Sequence, residues 1–407
     1  MMSTQPLSKT KPKSSHEEEK ASVMVPDQVP LKRVSRFYCL KHHLLHKAKT
    51  SDIEKVVSEV CDLHAQAALT PYISLWNRVE GFESSMLDEA LYKTKELVKI
   101  WCVRGTLHII PSGDLPIYNK ALKKIWFEHH GHLKDRPEWL SIEEIENVVY
   151  LKILEALSDK PLKRKELMAK VCSLLRDESK PYERLFSAWG GILKETCYEG
   201  LTVHAQPCGV EACFARLDKW LPNLNLDKLD ETQAKEKILL KYLNGYGPAS
   251  VQDFAYWSGL MISDTRKTLE NVASELEEVK IEDVKGQFWM QKKDYKTLME
   301  MDLDEKTPVR LLPKFDSFVL GHKGRTRIIQ IEFMKQVYRP IVGDVAATIL
   351  VNDRIVGTWR YKKTKSSMTV AISLFQKLEK EDLNEIKSVA EDFGRFLGIT
   401  QTVIDDK

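Results

Sequence analysis

Two groups of histidines have a spacing that a metal ion could use. They are His42, His43 and His46, and His129, His130 and His132. In the first group, the residues four positions apart fall on one helical face. Neither group has a cysteine or carboxylate at a metal-site spacing, so we favour structural roles for both. We therefore expect no metal ion and no cofactor.

The other familiar chemical motifs are missing from the sequence. It contains no glycine-rich phosphate loop, no G-x-S-x-G elbow and no H-E-x-x-H. An odd number of scattered cysteines without C-x-x-C spacing argues against a disulfide framework and a zinc knuckle. We expect these cysteines to be reduced and mostly buried; they are Cys39, Cys61, Cys102, Cys172, Cys197, Cys208 and Cys213.

The composition is that of a globular protein with several domains. Hydrophobic residues make up 43% and charged residues 30% of 407 positions. No apolar run is long enough to cross a bilayer, and the start of the chain lacks a secretory signal. We expect a cytoplasmic, nucleoid-associated monomer that does not bind membranes.

The net charge is only +3, so affinity for phosphate groups has to come from local clusters of Lys and Arg. Taken alone, each cluster is more typical of a solvated face than of a phosphate site. The clusters are Lys123 with Lys124, Lys163 to Lys165, Lys323 with Arg325 and Arg327, and Arg360 with Lys362, Lys363 and Lys365.

Helical and strand patterns predict where these side chains are held. Residues 1–30 are polar and poor in aromatic residues, which predicts a disordered tail. From residue 231, three apolar helical patterns precede two strands over 278–281 and 287–291, with helix stops at Asn244-Gly245 and Ser258-Gly259. Helix, helix, helix, hairpin is the order of a winged-helix unit.

Two less regular copies of this order precede the clear one. We expect an α+β protein with three tandem winged-helix units, over residues 31–140, 141–225 and 226–300. Residues 301–407 switch to a period of two, which predicts strands at 315–320, 326–331, 347–351, 354–361 and 368–375. We interpret this region as a small antiparallel β-barrel closed by a C-terminal helix.

Seven short stretches form a pattern along the chain. They are Asp62 to Gln66, Leu75 to Arg78, Val103 to His108, Tyr246 to Ala249, Asp253 to Gly259, Leu312 to Asp316 and Val356 to Arg360. Together they span nearly everything from residue 31 to the C-terminus, and in this order they resemble a family of winged-helix DNA-binding proteins, which contains the AlkZ-type and YcaQ-type DNA glycosylases.

The resemblance implies a monofunctional glycosylase that removes N7-alkylated guanines from double-stranded DNA, including bulky adducts and one half of an interstrand crosslink. The family's catalytic motif is usually Gln-x-Gln or Gln-x-Asp, and this chain has His64-Ala65-Gln66 at the matching place. The same tripeptide recurs at His204-Ala205-Gln206, inside a predicted strand, so its surroundings have to distinguish the two copies.

The chemistry of these side chains suits a cationic leaving base. N7 alkylation makes guanine a good leaving group, so the enzyme has to place a water beneath C1′ and tolerate positive charge on the sugar. The neutral Gln66 carbonyl can orient that water. A neutral His64 could accept a hydrogen bond from it or take its proton, whereas a protonated His64 would repel the sugar. A purely structural role for His64 is the alternative.

The resemblance also implies which residues contact DNA. The segment His322-Lys323-Gly324-Arg325 matches a hairpin that lies beside the catalytic motif and probes the duplex, although an exposed basic turn without a partner is the other interpretation. Further expected contacts are Arg78, Arg104, His108 and Arg327.

Two functions outside catalysis remain open from sequence alone. Winged helices also occur in DNA-binding proteins without enzymatic activity, such as regulators or factors that shield a lesion, and in protein-interaction scaffolds. We expect Trp76, Trp101 and Trp257 to belong to the core rather than to stack on bases.

Overall fold

A computed structural model describes residues 1, 28–130, 138–175, 181–187, 190–339, 343–364, 366–399 and 401–406. The predicted disordered tail covers residues 1–30, of which the structure describes residues 1 and 28–30. Within residues 28–30 that prediction is wrong, because Val29 is buried and forms a parallel bridge to Ile281.

The first third of the chain consists of helices that pack against three strands. The elements are α1 Leu31–Lys41, α2 Ile53–Glu59, β1 Leu63–His64, α3 Thr70–Arg78, α4 Ser84–Tyr92, β2 Leu97–Trp101, β3 Leu107–Pro111 and α5 Leu115–His130. A turn of 3-10 helix at Val103–Gly105, where Arg104 has a φ of 50°, separates β2 from β3.

The second segment continues the same sheet. Its elements are α6 Ile142–Glu144, α7 Tyr150–Ala156, β4 Leu162–Lys163, α8 Arg164–Leu175, α9 Ile192–Tyr198, β5 Thr202–Cys208, β6 Glu211–Arg216 and α10 Leu217–Trp220. Strands of both segments form one six-stranded sheet in the order β1-β3-β2-β5-β6-β4. The boundary predicted near residue 140 therefore divides segments that share a sheet.

The third segment has the predicted helix, helix, helix, hairpin order. Its elements are α11 Glu231–Tyr246, α12 Val251–Ser258, α13 Ile262–Asn271, β7 Leu276–Ile281, β8 Val284–Gln291 and α14 Lys292–Met299. Ser250 caps α12 by accepting from the Asp253 N–H, and Gly259, at a φ of 83°, ends it as predicted.

Helix α11 runs past the stop predicted at Asn244-Gly245. Gly245 lies inside the helix, where a Cβ would be 3.1 Å from the Glu59 carbonyl oxygen. The glycine is thus explained by the close approach of α2, and the helix ends before Gly247-Pro248.

The C-terminal region is mainly an open sheet. Its elements are β9 Arg310–Leu312, α15 Ser317–Leu320, α16 Met334–Val337, β10 Tyr338–Arg339, β11 Asp344–Val345, β12 Thr348–Val351, β13 Arg354–Lys363, β14 Ser367–Leu374, α17 Lys380–Phe396 and β15 Gln401–Asp406. The strands predicted at 347–351, 354–361 and 368–375 are confirmed as β12, β13 and β14.

The prediction of a closed antiparallel barrel is wrong for the described residues. The five-stranded sheet has the order β15-β14-β13-β12-β9, and β15 runs parallel to β14. The strand predicted at 315–320 is the short helix α15, because Asp316 caps it by accepting from the Phe318 N–H. The strand predicted at 326–331 is a turn, in which the N–H groups of Ile328 and Ile329 donate to the Arg325 carbonyl.

The core is continuous across the segments, and the three tryptophans belong to it as predicted. Trp257, Trp76 and Trp101 are all buried, and Trp76 packs on Phe393 of α17. A smaller cluster joins α1 to the β7–β8 hairpin through Phe37. None of the described helices is both long and apolar enough to span a bilayer.

Candidate active site and its polar network

The first His-Ala-Gln tripeptide lies at one edge of the six-stranded sheet. In β1, His64 is directly opposite His108 of β3. The pairing continues past the strand, because the Ala65 N–H donates to the Leu107 carbonyl at 2.7 Å. Since alternate residues of a strand share a face, Asp62, His64 and Gln66 are on the same side of the sheet.

A buried Asp62–His108 pair lies beside His64. The Nδ1 of His108 donates to the Asp62 carboxylate at 2.8 Å, and its Nε2 is 2.8 Å from the Thr106 hydroxyl. The Ser317 hydroxyl also donates to Asp62, at 3.2 Å. His108 is 3% exposed. With both ring nitrogens engaged inside the protein, His108 positions its neighbours and does not fit the expected DNA contact.

His64 is held between aromatic rings and is nearly enclosed. It stacks on Phe315 with a centroid distance of 5.1 Å and meets His108 edge-on at 5.0 Å. Its backbone N–H donates to the Ser317 hydroxyl at 3.1 Å. Burial, together with the nearby His108 and Arg104, holds the pKa of His64 well below its ordinary value. His64 is therefore neutral at physiological pH, as the expected chemistry requires.

Gln66 is exposed, and a backbone hydrogen bond holds its side-chain amide in place. Its Oε1 accepts from the Leu107 N–H at 3.3 Å, which leaves the second lone pair of this carbonyl available. The backbone N–H of Gln66 donates to His64 Nδ1 in a long hydrogen bond of 3.4 Å. Because Nδ1 accepts, the neutral imidazole carries its proton on Nε2.

The loop before α15 supplies the ring that covers His64. Phe315 has a φ of 58°, a left-handed conformation that is costly for an aromatic residue. The loop is fixed on both sides of this residue, since the Thr70 hydroxyl donates to the Lys314 carbonyl at 2.7 Å and Asp316 is buried. The stacking on His64 thus depends on a backbone conformation that the surrounding contacts enforce.

Two arginines hold Tyr256 of α12 between them. Arg104 donates to the carbonyls of Tyr256 and Trp257 at 2.8 and 2.9 Å, at the negative end of the helix dipole. Arg325 donates to the Tyr256 hydroxyl at 2.7 Å and lies 3.6 Å from the centroid of the Tyr338 ring. Arg104 and Arg325, which were both predicted to contact DNA, are partly buried in this arrangement.

The segment predicted as a probing hairpin is instead a loop fastened to α12. The N–H groups of Lys323 and Gly324 donate to the Asp253 carboxylate at 2.8 and 3.0 Å, and both residues are exposed. His322 is 3% exposed, with its Nε2 2.8 Å from the Tyr246 carbonyl. The expected DNA contact by His322 does not fit this position.

Two further arginines predicted to contact DNA have internal partners. Arg78 is fully buried and forms a bidentate pair with Asp316, at 3.0 and 2.6 Å. Arg327 is 5% exposed and donates to the Pro248 carbonyl at 2.8 Å. Sequence gives no signal for partners so distant along the chain, and these two guanidinium groups are structural in this fold.

The second His-Ala-Gln copy has different surroundings. His204 in β5 lies edge-on against Trp101 at 4.5 Å, and its Nε2 has no hydrogen-bond partner among the described residues. Burial lowers the pKa of His204 well below its ordinary value. The first copy thus lies beside the polar Asp62–His108 pair, whereas His204 of the second copy lies against an aromatic ring.

Sequence reasoning missed the residues that build the site around the tripeptide. Asp62 could have been found from the period of two, since it precedes His64 by one strand repeat. The approach of Phe315, Ser317 and Tyr256 comes from packing between distant segments and leaves no local pattern.

The histidines weighed as metal ligands have other neighbours. His42 is fully buried, and His43 lies 2.8 Å from Glu59. Within the described parts of the chain, no three His, Cys, Asp or Glu side chains meet as a candidate metal site. His132 lies outside the described residues. All seven cysteines are free and five are buried, which confirms the prediction that most are buried.

Comparison with known proteins agrees with this architecture. A curated relative from Streptomyces sahachiroi, named as an interstrand DNA cross-link repair glycosylase, is 22% identical over 360 residues, covering 85% of this chain and 91% of the relative. The solved structure of the S. sahachiroi DNA glycosylase AlkZ superposes with a TM-score of 0.77 at 20% identity, covering 93% of this chain and 100% of that one. The AlkZ-like DNA glycosylase family model matches residues 57–396, and the chain therefore belongs to the AlkZ-like DNA glycosylase family.

Proposed function

We propose that this protein is a monofunctional glycosylase that hydrolyses the N-glycosidic bond of N7-alkylated guanines in double-stranded DNA. The observation that carries the proposal is the exposed Gln66 amide, fixed by the Leu107 N–H next to a neutral His64. The name of the Streptomyces relative supports extending the substrates to bulky adducts and interstrand crosslinks.

Gln66 is the residue that places the nucleophile. An N7-alkylated guanine is cationic and leaves without protonation, so the reaction needs a water beneath C1′ and an environment that tolerates a cationic sugar. One lone pair of the Gln66 carbonyl accepts from Leu107, and the other can accept from the water. A neutral amide does this without the desolvation cost of a buried carboxylate.

His64 acts as a positioning residue rather than as the general base. Its Nδ1 accepts from the Gln66 N–H, so the remaining ring nitrogen is a donor and cannot take a proton from water. The alkylated guanine leaves as the neutral base, and the proton of the attacking water passes to bulk solvent, which reaches the exposed Gln66. The neutral ring fixes the backbone that carries Gln66 and adds no positive charge next to the sugar. The Asp62–His108 pair in turn packs against the ring and keeps it in place.

The groups that bind the duplex are those members of the predicted set that are exposed or partly exposed. Lys323 and Gly324 offer a cation and a close backbone approach, and the partly buried Arg104 and Arg325 flank them through Tyr256. Phosphate contacts of this kind position a protein on DNA without reading its sequence. We propose that the protein acts as a monomer and needs no metal ion for this hydrolytic route.

The deciding experiment incubates the protein with a duplex containing N7-methylguanine and then heats it in alkali to reveal abasic sites. Gln66→Ala should slow release by about 100-fold, because loss of the group that positions a reactant costs on the order of 10²-fold, and duplex affinity should stay the same. Gln206→Ala is the matched control, since it removes an exposed glutamine from the same tripeptide without touching the site. If the wild-type protein binds the duplex but forms no abasic sites, the protein is a non-catalytic DNA-binding factor.

A further inference from the structure

A cavity of about 230 Å³ adjoins the catalytic segment. Its walls come from the turn after the tripeptide, the start of α3, the loop before Phe315 and strand β13. Its apolar and aromatic lining residues include Ala67, Leu69, Ile73, Ala347, Trp359 and Tyr361.

The cavity offers mainly ring faces and aliphatic carbon, and its polar lining side chains are Thr70, Lys314 and Arg360. The rings of Trp359 and Tyr361 lie 5.8 Å apart and are nearly parallel, at 23°. The indole N–H of Trp359 already donates to the Leu312 carbonyl at 2.8 Å. Leu69 is 40% exposed and presents aliphatic carbon at the cavity. These features suit an uncharged aromatic or aliphatic ligand.

The cavity and the catalytic site share two walls. Ala67 lines the cavity and follows Gln66 directly in the chain. On the other wall, Lys314 lines the cavity and precedes Phe315, whose ring stacks on His64. The hydrogen bond from the Thr70 hydroxyl to the Lys314 carbonyl joins the two walls. The cavity is therefore built from the same two chain segments that carry Gln66 and Phe315.

Two cationic side chains line the cavity, Lys314 and the exposed Arg360. Lys314 lies 2.6 Å from the Asp344 carboxylate and 5.6 Å from the centroid of the Phe315 ring, so its charge is balanced within the protein. The planar guanidinium of Arg360 can stack on the face of a neutral ring. A neutral ring can also gain from the nearby ammonium group through its π face.

We propose that this cavity binds the aromatic part of a bulky N7 adduct while the guanine lies at Gln66. Its volume of about 230 Å³ exceeds the ~150 Å³ of an apolar cavity that binds benzene, and is below the ~300–1,000 Å³ of sites for drug-sized ligands. It thus fits one substituted ring. This inference rests on the proposed glycosylase function and gives it a preferred substrate class.

The test compares N7-benzylguanine with N7-methylguanine in the same duplex sequence, under single-turnover conditions with enzyme below half-saturation. Leu69→Asn removes part of the apolar wall, and Ala347→Met fills the cavity with a flexible side chain. Each should lower the benzyl-to-methyl rate ratio by about tenfold, the effect of losing much of the burial of one ring. The rate for N7-methylguanine should stay unchanged, which shows that both variants fold.

Met261→Asn is the matched control, because Met261 is 51% exposed and also immediately precedes a helix, but is outside the cavity. Its rate ratio should equal that of the wild type. If the wild-type protein releases methylguanine but not benzylguanine, or if the cavity variants leave the ratio unchanged, the cavity does not bind the adduct. If it releases neither base, the proposed function itself fails, and the inference fails with it.

Discussion

Removing the Arg78 guanidinium should destabilise the fold strongly and leave intrinsic DNA affinity unchanged. Both Arg78 and Asp316 have side chains that are 0% exposed. The Asp316 carboxylate accepts two hydrogen bonds from Arg78, one from the Ser74 hydroxyl at 2.6 Å and one from the Phe318 N–H at 3.0 Å. In Arg78→Met, this carboxylate stays buried without its counter-charge.

The expected loss comes from that uncompensated charge. Breaking one partner of a buried ion pair costs about 3–5 kcal/mol. With a denaturant slope of about 3–4 kcal/mol per molar urea for a chain larger than a small domain, the unfolding midpoint should fall by about 1 M. Urea titration followed by tryptophan fluorescence measures this shift, because Trp76 lies in the same helix, α3.

Two comparisons separate a structural role from a role in binding. Arg78→Met combined with Asp316→Leu should recover most of the lost stability, since replacing both members of a buried pair with apolar residues is often neutral. Arg395→Met is the control, because its side chain is 65% exposed and its loss should move the midpoint little. An unchanged midpoint together with weaker, less salt-dependent duplex binding would refute the structural role and favour a phosphate contact by Arg78.

Four further outcomes are expected. The rate of base release should be flat from about pH 8 to about pH 6, because the lowered pKa keeps His64 neutral where an ordinary histidine titrates near ~6.5; a titration near 6.5 would contradict the burial argument. The same shift should make the fold less stable as the pH falls below about 6.5, where His64 is protonated only in the unfolded chain. Lys323→Ala should reduce the slope of log affinity against log salt by about 0.9, measured by fluorescence anisotropy with a plain duplex; an unchanged slope would exclude a phosphate contact there. Asp62→Asn should slow release by about tenfold or more, the effect of one misplaced charge-assisted hydrogen bond, without weakening duplex binding; equal losses of both would point to general misfolding.

Sequence predicted most reliably the elements that carry local signals. The order of helices and strands over 231–291 followed from apolar helical patterns and from the stop at Gly259, which act within a few positions of the chain. Strand β14 followed from its alternation, because Met368, Val370 and Ile372 are buried while the residues between them are more exposed, whereas all four residues of β12 are buried.

The failures occurred where tertiary contacts decide the structure. Helix α17 connects β14 to β15, which lets β15 pair in parallel with β14. Strands β15 and β9 are then the two edges of an open sheet. At the site, the tripeptide itself was predictable, whereas the partners of its side chains were not. Arg78 and His322 have the residue types of DNA contacts, but their partners, Asp316 and the Tyr246 carbonyl, are supplied by distant segments.

The six-stranded sheet makes the first two segments inseparable for practical purposes. Strand β2 meets β5 through the pairing of Lys99 with His204, so cutting the chain near residue 140 would strip β2 of one of its two neighbours. A fragment ending there would present an unpaired strand edge in place of an internal one, a common cause of aggregation. A minimal catalytic module should therefore keep β1 to β6 together, and it also needs Phe315 and Ser317, which contact His64.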